Sequence, residues 1–116
     1  MTPMPSSLTV TLEAGRGTVS LHLAGGLDYD TGDGLVQHAD QCLADHPDLY
    51  DLRLDCAELD FCDSIGLSSL LMIRRRTDAR AVRLHLDNTP PFLQRLLHVT
   101  GIQQLFMQPH TSQQAE

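Results

Sequence analysis

The spacing of apolar residues changes repeatedly along this chain, and that alternation constrains the fold more than any other feature. Leu8, Val10 and Leu12 alternate with polar residues, as in a half-buried strand. Gly15-Arg16-Gly17 interrupts them as a hairpin turn would, and Val19, Leu21 and Leu23 alternate again. These predict two antiparallel strands. After a break at Gly25-Gly26-Leu27-Asp28, the period becomes helical. Leu35, Val36, Ala39, Cys42 and Leu43 fall on one face, with Asp28, Asp30 and Thr31 as candidate caps. Asp45-His46-Pro47 stops that helix, because a proline disfavours the helical conformation in the residue before it.

Tyr50, Leu52 and Leu54 form a strand running to Asp55, and a loop from Glu58 to Ser64 leads into a second helix. Ile65, Leu67, Leu70, Leu71 and Ile73 give its stripe, and Arg74, Arg75 and Arg76 suit the negative end of its dipole. Val82, Leu84 and Leu86 alternate once more. Thr89-Pro90-Pro91 opens a third helix carrying Leu93, Leu96, Leu97 and Phe92, and Gly101 stops it. Ile102 and Leu105-Phe106 make a short last segment. The order β-β-α-β-α-β-α predicts an α/β domain with a mixed, mostly parallel sheet of four to five strands. About three helices pack mainly on one face.

One domain is all that 116 residues allow, and such a length builds a core without metal or disulfide staples. Residues 1–7 and 109–116 read as flexible tails around a domain at 8–108. Cys42, Cys56 and Cys62 are odd in number and have no C-x-x-C spacing, so they predict reduced thiols rather than bridges or a zinc site. The six histidines show no ligand spacing, and no metal or cofactor is expected. The first residues lack a basic region followed by an apolar run, and no apolar run approaches the roughly 20 residues of a membrane span. A cytoplasmic protein with no membrane partner is expected.

Charge narrows the function. Eight arginines face fifteen acidic residues, a net −7, and there is no lysine. A phosphate-cradling Walker loop and Schiff-base chemistry both need that missing amine. Net acidity argues against direct nucleic-acid binding, which phosphate attraction dominates. The charge is uneven. Residues 1–63 hold twelve acids and two arginines, whereas residues 64–116 hold three acids and six arginines. The divide falls at Asp63-Ser64.

That point is also where chemistry can sit. In Asp55–Leu71, D-C-A-E-L-D-F-C-D-S-I-G-L-S-S-L-L, Asp63-Ser64 stands where the second helix begins. Free backbone N–H groups and the helix dipole favour an anion there, such as a phosphoryl group on Ser64. Gly66 permits close backbone approach in the first turn. Alternatively, Ser64 or Asp63 simply caps the helix. A nucleophilic-serine enzyme has little support: there is no G-x-S-x-G elbow and no recognisable triad.

The same segment resembles the signature of STAS-domain proteins, specifically the bacterial anti-sigma factor antagonists, in which D-S-[ST]-G-L opens a helix after a strand and loop. Gly26-Leu27-Asp28 resembles the family's early G-x-L-D. Val82–Asn88 resembles its penultimate strand and polar turn. Leu96 to Phe106, L-L-H-V-T-G-I-Q-Q-L-F, resembles its closing L-x-x-T-G-[LI]-x-x-x-[FL]. The resemblance spans roughly residues 8 to 107.

It implies a non-enzymatic antagonist. Such a protein binds an anti-sigma factor, usually a serine kinase with an ATP-binding fold, and so frees a sigma factor for transcription. Phosphorylation in the D-S-[ST]-G loop switches it off, and a phosphatase reverses this. Carried onto this chain, the partner surface comprises Asp28, Asp63, Ser64, Ile65, Gly66 and Leu67, with Ser64 as the phosphorylation site. The sequence departs from the pattern at Ile65, which fills the usual acceptor position and has no hydroxyl. Three alternatives follow. Ser64 accepts the phosphoryl group, the domain binds constitutively, or control lies elsewhere, with Ser68 and Ser69 as poor candidates inside the helix. Ile65 itself reads either as an exposed apolar contact or as core. The competing function is a non-phosphorylated STAS scaffold or sensor module in a signalling complex.

Overall fold

The computed structural model describes residues 7–104. The two predicted tails lie almost wholly outside them, as do Leu105-Phe106. Four strands, β1 (Leu8–Ala14), β2 (Thr18–Leu27), β3 (Asp51–Cys62) and β4 (Arg83–Asp87), form one sheet in sequential order. The β1–β2 pair is antiparallel, and β2–β3 and β3–β4 are parallel. The parallel neighbours are joined through α1 (Gly32–Asp45) and α2 (Ser64–Ala79), and α3 (Pro91–Thr100) follows β4. The predicted α/β domain is thus observed, with four strands and three helices among the described residues.

Alternation decides which face is covered. Val19, Leu21 and Leu23 of β2 and Leu52 and Leu54 of β3 are at most 1% exposed. Together with Leu35, Leu70, Ile73 and Leu93 from the helices they form one core. Helices α1 and α2 pack against each other over it. All three cysteines are free and buried here. Burial raises the Cys56 thiol to about 12, helped by the charges of Asp55 and Asp87. Burial, then the charge of Asp63, raises Cys62 to about 11.

The opposite face carries a cross-strand lattice of charges. His22 lies between Glu13 and Asp55, at 2.9 Å from each, and Asn88 also donates to Asp55. Arg53 pairs with Asp87, and Asp51 accepts from both Arg83 and His85. The sequence shows these histidines as scattered. The register brings them to carboxylates more than 30 residues away, a relation that local spacing cannot reveal.

Two readings are corrected. The stretch from Glu58 onward is strand, and β3 continues to Cys62. Its register against β2 shifts twice, between His22 and Ala24 and again between Gly25 and Gly26. Each shift places an extra residue in β3, so its buried positions lose the period of two and resemble a loop. For the same reason β2 runs through Gly25-Gly26 to Leu27, with Gly25 at φ +113°, where a side chain is strained. Of the candidate caps, Thr31 and Asp63 take the N-cap positions of α1 and α2. Asp63 caps α2 by accepting from Gly66 N at 2.8 Å, but Thr31 and Pro90 occupy the cap positions of α1 and α3 without side-chain hydrogen bonds.

The charged face predicts a bell-shaped dependence of stability on pH. Burial pushes Asp51 upward, but hydrogen bonds from His85 and Arg83 more than offset this and hold it below the ordinary carboxylate value. Asp55 is lowered by Asn88, by the backbone N–H of Ala57 and by His22. These contributions are present above about pH 4 and are lost as acid titrates the folded carboxylates. His22 is raised by Glu13 and then Asp55, so its contribution is complete below about pH 6.5 and is lost as pH rises through its folded value. The melting midpoint should therefore peak between those limits. His22→Gln should flatten the alkaline side most and, by removing one support of Asp55, the acid side slightly, and a wild-type midpoint that does not fall above pH 6.5 would contradict this account.

Candidate functional site

The C-terminal ends of β2 and β3 lie side by side, because the two strands are parallel neighbours. The loop from β2 into α1 and the start of α2 therefore meet. Asp28 organises the first of these. Its backbone carbonyl accepts from Gly32 N at 2.8 Å, and its Oδ1 accepts from Asp30 N at 2.9 Å. Its own N–H donates to Thr31 Oγ1, whose hydroxyl donates back to Gly26 O at 2.8 Å. The turn is closed on both sides, and Asp28 is only 6% exposed.

The second element is clamped to the first through backbone. Asp63 N donates to Leu27 O at 3.3 Å. Gly66 packs so close to the same carbonyl that a Cβ there would lie 2.1 Å from it. No real Cβ contact is that short, so only glycine allows this approach. Leu67, one residue on, is core.

The sequence-predicted residues thus divide into two groups. Asp28, Gly66 and Leu67 are buried and build the site, and Asp63 is half-buried as a cap. Ser64 and Ile65 alone are exposed. Ile65 is 47% accessible, so it leaves the apolar stripe assigned to it. The buried face of α2 runs through Leu67, Leu70, Ile73 and Thr77 instead. Among the described residues no side chain hydrogen-bonds the Ser64 hydroxyl, and no described histidine reaches it. Ser68 and Ser69 donate to the carbonyls of Ser64 and Ile65, four residues back.

Sequence reasoning missed several exposed apolar side chains on the elements that form the site. Tyr29, in the turn after β2, is exposed, and Phe61, near the end of β3, is half exposed on the flank of Gly26. Met72 follows Ile65 by seven residues and is exposed on the same side of α2. Asp30, Asp33 and Asp60 are exposed around them and make no ion pair among the described residues. An aromatic inside the acidic turn Asp28-Tyr29-Asp30 was the one available signal. A depression of about 240 Å³ beside Asp28, Asp60 and Phe61 falls below the roughly 300–1,000 Å³ of ordinary ligand pockets. The chemistry on offer is therefore surface recognition, through individually exposed apolar side chains, carboxylates and one exposed hydroxyl at this end of the sheet. Among the described residues no three His, Cys, Asp or Glu side chains are grouped to hold a metal ion.

The family model described as "Mlab, STAS domain" matches residues 10–109. The chain belongs to the STAS-domain family. Comparison with curated proteins gives no match. Among solved structures, an anti-sigma factor antagonist from Mycobacterium paratuberculosis superposes with a TM-score of 0.75 at 24% identity, covering 87% of this chain and 84% of that one. The Bacillus cell fate determinant SpoIIAA in its phosphorylated form gives 0.65 at 24% identity, with 82% and 86% covered. A sulfate transporter family protein from Wolinella succinogenes gives 0.66 at 15% identity, with 81% and 75% covered. At these identities the likeness is one of fold. No described helix of this STAS domain is long and apolar enough to cross a membrane.

Gly66→Ala should lower stability by about 1–3 kcal/mol, because the colliding atom belongs to the backbone. Gly34→Ala, where a Cβ meets nothing within 4 Å, should raise it by up to about 1 kcal/mol. Urea titration of both variants measures the contrast.

Proposed function

We propose that this STAS domain is an anti-sigma factor antagonist, acting in the cytoplasm, that binds a serine-kinase-type anti-sigma factor and thereby releases a sigma factor. The observation that carries the reading is the start of α2, where Ser64 and Ile65 are the exposed members of a Asp63-Ser64-Ile65-Gly66 turn that is otherwise locked into the fold. Solved antagonists of the same fold support it. The exposed side chain of Ile65 supplies apolar contact, and the carboxylates exposed at this end of the sheet favour a partner with basic residues.

Ser64 is the proposed phosphorylation site. A phosphoryl group there adds about −1.5 to −2 charges beside Asp63. Helix N–H groups tolerate that charge in the free protein, but docking must bring it against a partner shaped for the unmodified rim. Like-charge apposition at an interface can cost several kcal/mol, and each 1.4 kcal/mol is tenfold in affinity. A phosphatase would restore binding. The exposed side chain of Ile65 at the usual acceptor position favours a second reading, a scaffold or sensor module that holds its partner without phosphorylation.

Binding to serine-kinase-type anti-sigma factors from the same genome, measured by calorimetry with and without ATP, tests the role. Wild type should bind, and Ile65→Asp should weaken binding at least tenfold. Incubation with ATP should add one phosphoryl group by intact mass, and Ser64→Ala should abolish it. Binding without any phosphoryl transfer selects the scaffold reading. No binding to any such factor rejects the antagonist role.

A further inference from the structure

The two edges of the sheet are treated differently. The β4 edge is short, five residues, and three of them are Arg83, His85 and Asp87. Short length and charge are the ordinary means by which natural sheets blunt an edge. The β1 edge has neither protection. Its seven residues, Leu-Thr-Val-Thr-Leu-Glu-Ala, contain no proline and no lysine. Its only charge, Glu13, is held by His22 on the polar face. Among the described residues β1 pairs with β2 alone.

Backbone parity shows which groups of β1 are available. Ser7 O accepts from Gly26 N at 3.0 Å, and Gly15 N donates to Thr18 O at 2.7 Å. Residues 7 and 15 therefore face β2, and in an antiparallel ladder so do Thr9, Thr11 and Glu13. Leu8, Val10, Leu12 and Ala14 direct their N–H and C=O groups outward. On the helix side of the sheet, Leu8 and Val10 are partly buried against the core, while Leu12 is 49% exposed. An open backbone ladder and an apolar row left half-covered thus coincide on one strand.

We propose that β1 pairs antiparallel with β1 of a second copy of this chain, joining two four-stranded sheets into one of eight strands. The strand is self-complementary about Thr11. A two-fold axis there sets Val10 against Leu12 of the second copy, and Leu8 against Ala14. Every outward-facing residue then meets an outward-facing residue, as the ladder requires. Leu12 gains an apolar neighbour. Glu13 stands opposite Thr9, so the one charge of the strand does not meet itself. Such a closed, isologous contact is the commonest form of homodimer. It leaves the surface around Ser64 and Ile65 to another partner. A contact along one seven-residue strand is a small interface, so the dimer is weak and concentration-dependent.

Sedimentation velocity of the full chain over about 5–500 μM tests the proposal. The mass should rise from 12.8 kDa toward twice that value. Leu12→Lys should hold the protein monomeric. Leu12→Pro should do the same, and since that N–H points outward, no β1–β2 bond is lost. Unchanged melting midpoints would show that both variants fold. The register has its own test. The three native cysteines are buried, so Thr11→Cys adds the one exposed thiol. Pairing across the axis sets the two Cα atoms about 4.5 Å apart, within disulfide range, and mild oxidation should crosslink Thr11→Cys much faster than Thr9→Cys. A monomer throughout the range overturns the proposal. So does a dimer that survives both Leu12 variants, or equal crosslinking from positions 9 and 11. A chain that dimerises only after residues 1–6 or 105–116 are removed also overturns it, by giving the edge to the chain's own end.

Discussion

The carbonyl of Leu27 lies at the junction of everything that forms the site, with Asp63 N–H donating to it from one side and Gly66 Cα pressed against it from the other. Leu27 itself is fully buried at the end of β2, so its position is fixed by the core. The first turn of α2 inherits that position through these backbone contacts, reinforced by the Asp63 cap on Gly66 N and by Leu67 in the core. Side chains change rotamer, but a carbonyl at the end of a buried strand does not. Ser64 and Ile65 are exposed on a rigid base for this reason, although they stand at the start of a helix, where fraying is common.

Much of the architecture was legible because burial on one sheet face leaves a simple mark. Val19, Leu21 and Leu23, or Leu52 and Leu54, alternate so plainly that their strands and the layer order follow. Legibility failed where the backbone departs from regularity. The buried sequence Leu54, Cys56, Leu59, Cys62 has steps of two, three and three, since β3 carries two extra residues against β2. No period-based reading recovers that as strand. The site was legible in part. Asp63 and Gly66 are marked by residue type, since a cap and a close approach each demand particular chemistry. Tyr29 and Phe61 are not, because their exposure depends on which way a turn and a bulged strand end point. Ile65 shows the same limit: an isoleucine beside a helical stripe reads as core until the helix phase is known.

The charge divide at Asp63-Ser64 also takes on a spatial meaning. Along β1 to β4 the polar face matches acids to arginines and histidines across strands, so its charges cancel locally. Arg76 similarly meets Asp40 between the two packed helices, and Arg74 meets Asp78. Asp30, Asp33 and Asp60 near the site have no such partners among the described residues, and neither do Asp45 and Asp48 at the other end of the sheet. Unpaired carboxylates therefore stand at both ends of the sheet, and those beside the start of α2 would favour a basic surface there.

The buried thiols have a consequence for the conditions under which such a domain can work. Thiolate is the form that reacts with peroxide or a disulfide, and a thiol raised to about 11 is ionised at pH 7 only on the order of one part in 10⁴. Cys56, raised to about 12, is less ionised still, and burial closes both sulfurs to large oxidants. Cys56 and Cys62 are therefore poor targets for oxidants, and the exposed thioether of Met72 is the more accessible oxidisable sulfur among the described residues.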